Sequence, residues 1–150
     1  MNIALGCDHA GFALKEEVRR VIEEAGHKVK DVGTFSEEPV DYPDFAEKVG
    51  LEILQGKADR GITLCGSGVG ACIAANKMRG IRAGVCHDVY TAAQCVEHDD
   101  VNLLCLGARV IGPVIVKRLV ETFLEAEFKT EERYVRRLNK ILAIEKRAGE

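Results

Sequence analysis

Short apolar runs alternate with amphipathic stretches along the whole chain. Residues 2 to 7 are almost entirely apolar, as in a strand buried on both faces. After Asp8-His9-Ala10-Gly11, apolar residues return at Phe12, Leu14, Val18, Val21, Ile22 and Ala25 among charges, the spacing of a helix with one buried side. Gly26 stops that helix, and residues 27 to 32 alternate as a strand. Residues 33 to 43 collect Gly, Ser, Glu, Asp and two prolines into a long loop, a kind of connection that often carries function. A helix is predicted from about residue 44 to 54, then a strand over 61 to 65, the loop 66 to 70 and an Ala-rich helix to Met78. A strand over 82 to 86, a helix over 89 to 97, a strand over 102 to 106, a helix over 113 to 124 and a charged helix from about 131 to 147 follow.

Five short apolar strands separated by helices favour parallel pairing through right-handed crossovers. The expected architecture is one doubly wound α/β domain over residues 1–150, Rossmann-like, with a five-stranded parallel sheet and helices on both faces. Ligands of such sheets sit beyond the carboxyl ends of the strands. That directs attention to Cys7-Asp8-His9, to residues 65–70, to Cys86-His87-Asp88 and to the turn after Leu106.

The length of 150 residues and the 47% hydrophobic content suit a single domain with a proper core. With 21 basic and 24 acidic side chains the net charge is −3, which leaves no reservoir of positive charge for a nucleic acid or an anionic membrane. Any basic site must be local. No apolar run approaches the roughly 18 residues of a membrane span, and the start Met1-Asn2-Ile3-Ala4-Leu5-Gly6 lacks the order of a signal peptide. A cytoplasmic location is expected. The six cysteines are expected to be reduced thiols, and without a Cys-x-x-Cys pair no structural metal is expected.

Gly66-Ser67-Gly68-Val69-Gly70 joins a strand to a helix, so its backbone N–H groups can turn toward one anion. A dinucleotide-binding reading competes, because Gly66, Gly68 and Ala71 fit Gly-x-Gly-x-x-Gly/Ala and Asp88 stands where a ribose-binding acid would be. On that reading the chain would be a non-catalytic nucleotide-binding module. Cys65 ends its strand beside this anion site, placed to act as a nucleophile or base, whereas Cys72, Cys95 and Cys105 sit among apolar neighbours as small hydrophobes do. His98-Asp99-Asp100 could supply a proton donor, a carboxylate pair or part of a metal site, or simply cap and pair. The helix bearing Arg133, Arg136, Arg137, Lys140, Lys146 and Arg147 reads by itself as a solvated face.

Taken together and in order, these motifs resemble the type B ribose-5-phosphate isomerase family, whose relatives include the galactose-6-phosphate isomerase subunits. The marks are Asp8-His9-Ala10-Gly11, Asp41-Tyr42-Pro43, residues 65–70, Ala74-Ala75-Asn76-Lys77, Gly80-Ile81-Arg82-Ala83, His98 with Asn102, and residues 107–112. The resemblance implies a cofactor-free isomerase of sugar phosphates, taking ribose 5-phosphate or another sugar such as allose 6-phosphate, galactose 6-phosphate or a tetrose phosphate. It implies that Cys65 is the base, that Ser67 and the amides of Gly66, Gly68 and Gly70 hold an enediolate, and that His98 opens the sugar ring. Asp8 and Tyr42 would meet hydroxyls, while His9, Arg109, Arg133 and Arg137 would meet the phosphate. It further implies a homodimer or tetramer with sites shared between chains, the C-terminal helix at the dimer interface and His98, Asp99 and the arginines acting on the partner's site. Asp99 stands where many relatives have Asn, Glu131-Glu132-Arg133-Tyr134 replaces a common Gly-Gly-Arg-His, and Ser67 replaces a common Thr.

Overall fold

The structure, a computed structural model, describes residues 1–149. Its elements run β1 (Asn2–Cys7), α1 (Phe12–Glu24), β2 (Lys28–Asp31), α2 (Tyr42–Leu54), β3 (Arg60–Cys65), α3 (Val69–Ala75), β4 (Ala83–Val85), α4 (Val89–Asp99), β5 (Leu103–Gly107), α5 (Pro113–Glu125) and α6 (Glu132–Ala148). All five strands pair in parallel, in the order β2-β1-β3-β5-β4. This is the doubly wound sheet that the strand and helix alternation predicts. The chain leaves β1 toward β2 on one side and returns to β3 on the other, so the connections diverge above the carboxyl ends of β1 and β3 and leave a crevice there.

The sheet divides its residues by size. Ile3, Leu5, Ile62, Leu64, Leu104 and Leu106 face α1, α4 and α5, where they pack with Val18, Ile22, Leu119 and Phe123. Burying each of these large side chains contributes about 1.5–3 kcal/mol. The opposite face presents smaller residues, Ala4, Cys65 and Cys105 among them, to Ala46 and Val49 of α2 and Ala71 and Ala75 of α3. Small contact residues let those helices lie close to the sheet, which brings the loop before α3 and the first turn of α2 against the strand ends.

Several boundaries differ from the sequence expectation. Helix α3 stops at Ala75 rather than Met78, because the Asn76 side chain bonds both the carbonyl and the N–H of Ala83 at 2.9 Å and so ties the helix end to β4. Helix α4 runs on through His98 and Asp99, closing at Asp100 in the left-handed region at φ 50°. Arg60 donates to the carbonyls of Phe123 and Ala126 at 2.5 and 2.7 Å, placing a cation on the last turn of α5. Helix α6 buries only Tyr134 and leaves Ile141, Leu142 and Ile144 exposed within one chain. Among the described residues no helix is long and apolar enough to cross a membrane.

Candidate active site

The crevice has a volume of about 440 Å³ and is lined by Asp8, His9, Ala10, Tyr42, Cys65, Gly66, Ser67, Gly70, Arg109 and Val110. Eight of the residues singled out from the sequence therefore meet in one place, drawn from the ends of β1, β3 and β5 and the start of α2. A larger groove of about 590 Å³ lies along α6, but its lining comes from that helix and Thr130 alone. It brings no groups together from different elements.

Backbone hydrogen bonds set the position of each polar group. Asp8 is buried, and its carboxylate accepts the N–H groups of Ala10 and Gly11 at 2.9 and 3.2 Å, which leads the chain into α1 and leaves the second oxygen free of that turn. His9 Nδ1 lies 3.1 Å from the Val40 nitrogen and 3.2 Å from the Val40 carbonyl oxygen, so the backbone of Val40 orients the ring. Cys65 is 3% exposed, and its sulfur accepts the Gly68 N–H at 3.1 Å. A hydrogen bond from the loop amide thus reaches the sulfur, although Gly68 itself does not line the crevice.

The glycine loop is held from below by the turn after β5. Ala108 and Arg109 donate their N–H groups to the carbonyls of Cys65 and Gly66 at 2.8 and 3.0 Å. Gly68 has φ +81°, and a Cβ there would lie 3.1 Å from the Gly107 nitrogen, so both its conformation and its surroundings require glycine. The Ser67 hydroxyl accepts the Val69 N–H at 3.2 Å. As in any helix, the first-turn N–H groups of α3 have no carbonyl four residues back within it, and of these residues Gly70 lines the crevice. An anion at this loop would meet loop and first-turn amides rather than a long helix dipole, since α3 has only seven residues. Tyr42 rests on Gly70, and Arg109 lies over Gly66.

His87, which the sequence marked only as a strand end, proves to be part of this support. Its Nε2 accepts the Gly107 N–H at 2.9 Å, and burial holds its pKa below the usual histidine value. Cys7 lies beneath the site with its thiol pushed up to about 11, chiefly by burial. That thiol stays protonated near neutral pH. The buried Lys15 is a second group that helical periodicity hides, because it stands next to Leu14 on a charged helix.

The remaining candidates lie elsewhere in the chain. His98 stacks on Tyr134 with ring centroids 4.3 Å apart, and Gln94 Nε2 is 2.9 Å from its Nδ1. Arg133 donates to the Tyr134 hydroxyl at 2.8 Å and lies over the same ring. Asp99 borders a separate hollow with Arg82, Gln94 and Ile141. Arg137 is exposed on α6 with no ion pair among the described residues, whereas neighbouring Arg136 pairs with Glu132. No residue of this second cluster lines the crevice within one chain.

Two rival chemistries lose their residues to local roles. Asp88 caps α4, accepting the Thr91 N–H and hydroxyl, each at 2.8 Å, and these bonds hold its carboxyl below the usual range. It is committed to that cap rather than open to a ribose. Asp100 pairs with Arg82 at 2.7 Å while His98 turns to Tyr134, and among the described residues no group of three or more His, Cys, Asp or Glu side chains gathers as a metal site.

The comparisons with known proteins bear on the chain as a whole. The sequence pattern of the family described as Ribose/Galactose Isomerase matches residues 3–141. Ribose-5-phosphate isomerase B of Escherichia coli is 46% identical over 97% of each chain. D-erythrulose-4-phosphate isomerase of Pectobacterium atrosepticum is 41% identical over 86% of each. The structure of Clostridium thermocellum ribose-5-phosphate isomerase B superimposes with a TM-score of 0.95 at 46% identity, covering 99% of both chains. The pattern thus runs from β1 through all five strands into α6 on the same fold, and the chain belongs to the ribose/galactose isomerase family.

Proposed function

We propose that the chain is an aldose-ketose isomerase that interconverts ribose 5-phosphate and ribulose 5-phosphate in the cytoplasm, without a cofactor. The carrying observation is the placement of Cys65, its sulfur bonded by the Gly68 N–H on the wall of a crevice that also presents Ser67, Asp8, His9, Tyr42 and Arg109. Isomerisation needs a base for the weakly acidic C–H beside a carbonyl and donors for the oxyanion that results. As thiolate, Cys65 takes the C2 proton of the open-chain aldose and returns it to C1. Ser67 and the amides of Gly66 and Gly70 hold the enediolate between these steps, the Gly68 N–H being committed to the Cys65 sulfur. Asp8 and Tyr42 bind hydroxyls, and His9 and Arg109 bind the phosphate.

The same reading makes the enzyme a homodimer or a tetramer with shared sites. His98, Asp99, Arg133 and Arg137 then serve the crevice of the partner chain, His98 assisting ring opening and the arginines holding the phosphate, whose oxygens suit guanidinium forks. The apolar stripe of α6 supports a place at the dimer interface, because Ile141, Leu142 and Ile144 remain 40%, 37% and 59% exposed within one chain. A second reading keeps the chemistry and changes the sugar, and it is favoured by the relative that is a D-erythrulose-4-phosphate isomerase.

Turnover of ribose 5-phosphate by the wild type and by Cys65→Ala, in chelator, tests the assignment. The expected result is activity in the wild type and a loss of about a hundredfold to ten-thousandfold in the variant, the usual range for removing a general base. Turnover by a verified Cys65→Ala protein at the wild-type rate would remove the base, and turnover of D-erythrulose 4-phosphate in place of the pentose would select the second reading.

A further inference from the structure

Lys15 is the most deeply buried charged side chain of α1, 5% exposed, and it lies behind the crevice rather than in it. Its ammonium meets the two oxygens of Asp31, at the end of β2, at 2.9 and 2.8 Å, and donates to the Thr34 carbonyl at 2.5 Å. The ring of Phe35 lies 4.5 Å from the nitrogen and that of Phe12 5.6 Å. A lysine has three N–H donors, and here they face the two Asp31 oxygens and the Thr34 carbonyl while the aromatic faces close the remaining side. Asp31 is shared further, since it also accepts the Gly33 N–H at 2.9 Å.

These contacts fix the beginning of the segment that joins β2 to α2. Gly33 and Thr34 are paired with Cys7 at the end of β1, through Cys7 N–H to Gly33 and Thr34 N–H to Cys7, each at 2.6 Å. The other end of the segment reaches the crevice, where the Val40 backbone holds His9 and Tyr42 opens α2 against Gly70. Residues 35–39, between the two ends, are exposed, and position is therefore imposed at the ends. A buried ion pair is a poor source of stability compared with apolar residues of similar volume, but it is directional, and losing it leaves the strand end free to shift.

We propose that Lys15 is a positioning residue for substrate binding: through Asp31 and Thr34 it sets the register of Gly33 and Thr34 against β1, fixes the start of the segment that ends at Val40 and Tyr42, and so places His9 and Tyr42 in the crevice. The proposal rests on the isomerase reading for its kinetic consequence, but its structural consequence can be read without substrate. An apolar double replacement, Lys15→Met with Asp31→Leu, removes both charges together and avoids an unpaired buried ion. In that variant KM for ribose 5-phosphate rises about tenfold while kcat changes less than about threefold, as expected when binding groups rather than the Cys65 base are displaced. Amide hydrogen exchange at Val40 accelerates, while exchange at Gly68 is unchanged. Asp31→Asn keeps an acceptor for Gly33 and shifts KM and Val40 exchange the same way by a smaller factor, and it serves as the test if the double variant does not fold. A folded variant in which either KM or Val40 exchange matches the wild type overturns the proposal. A wild-type protein that turns over no sugar phosphate defeats the isomerase reading instead, and Val40 exchange then still decides the role of Lys15.

Discussion

In the crevice, Asp8, His9 and Cys65 are each held by backbone groups, whereas His98 and Arg133 are both held by the one buried ring of Tyr134. The first cluster is built from strand ends and tight turns whose hydrogen bonds are complete in one chain. The second lies on the last turn of α4 and the first turns of α6, open to solvent on the side away from Tyr134. A site made of backbone amides needs the sheet to exist first, and it is assembled as soon as the domain folds. The contrast explains why one chain gathers Cys65 and the glycine loop in a crevice but leaves Arg137 without an ion pair among the described residues.

The largest effect that bears on this contrast is expected from Arg137→Ala. If Arg137 binds the substrate phosphate, its loss removes a charge-assisted hydrogen bond of about 1.5–3 kcal/mol, a fall in kcat/KM of about ten- to 150-fold. The fold should be untouched, since the side chain is exposed. A steady-state comparison at low substrate measures it, and an unchanged kcat/KM would remove Arg137 from the phosphate site.

A smaller change is expected from Gly70→Ala on the crevice side. The added Cβ would stand 2.6 Å from Cζ of Tyr42, so the ring must swing away. Tyr42 is 41% exposed and has room to do so without disturbing the core. Losing one hydroxyl contact of about 1 kcal/mol should raise KM about fivefold with little change in melting temperature. A KM equal to that of the wild type would mean that Tyr42 does not touch substrate.

Least in size is a pH effect through His87. Burial lowers its pKa in the folded protein, so the unfolded chain takes up the proton first as pH falls. The stability it contributes is present above the unfolded pKa of about 6.5 and is lost as pH drops below it. Melting temperature should therefore fall between pH 7.5 and 5.5 more steeply in the wild type than in His87→Gln, whose amide oxygen can still accept the Gly107 N–H. Equal slopes would show that the ring is not the group being titrated.

Much of this arrangement was legible in the sequence, for physical reasons that also mark its limits. Strands β1, β3 and β5 are buried on both faces, so they appear as unbroken apolar runs, and the glycine loop after β3 can be placed from them. The residues at the strand ends then fall into one crevice by topology alone. The partition of the site was legible only through the family resemblance, because no spacing in the chain says that His98 belongs with the ring of Tyr134 rather than with Cys65. Lys15 and His87 were not assigned a role because their importance lies in what they bond across the fold, to Asp31 and Thr34 and to Gly107. A lysine in a charged helix and a histidine after a short strand give no local sign of such partners. The end of α3 was misplaced for the same reason, since Asn76 is drawn off by Ala83 of a strand that follows it.

The account stands most directly on whether the two clusters meet across subunits. Cys65→Ala and Arg137→Ala proteins, the first nearly inactive and the second at a tenth or less of wild-type kcat/KM, would be mixed, exchanged to equilibrium and assayed at low ribose 5-phosphate, with exchange verified by mass. In a twofold dimer random exchange gives half mixed dimers, each with one intact site, so the account predicts recovery of about a quarter of wild-type activity. Complete exchange with no recovery would contradict it and return both clusters to a single chain.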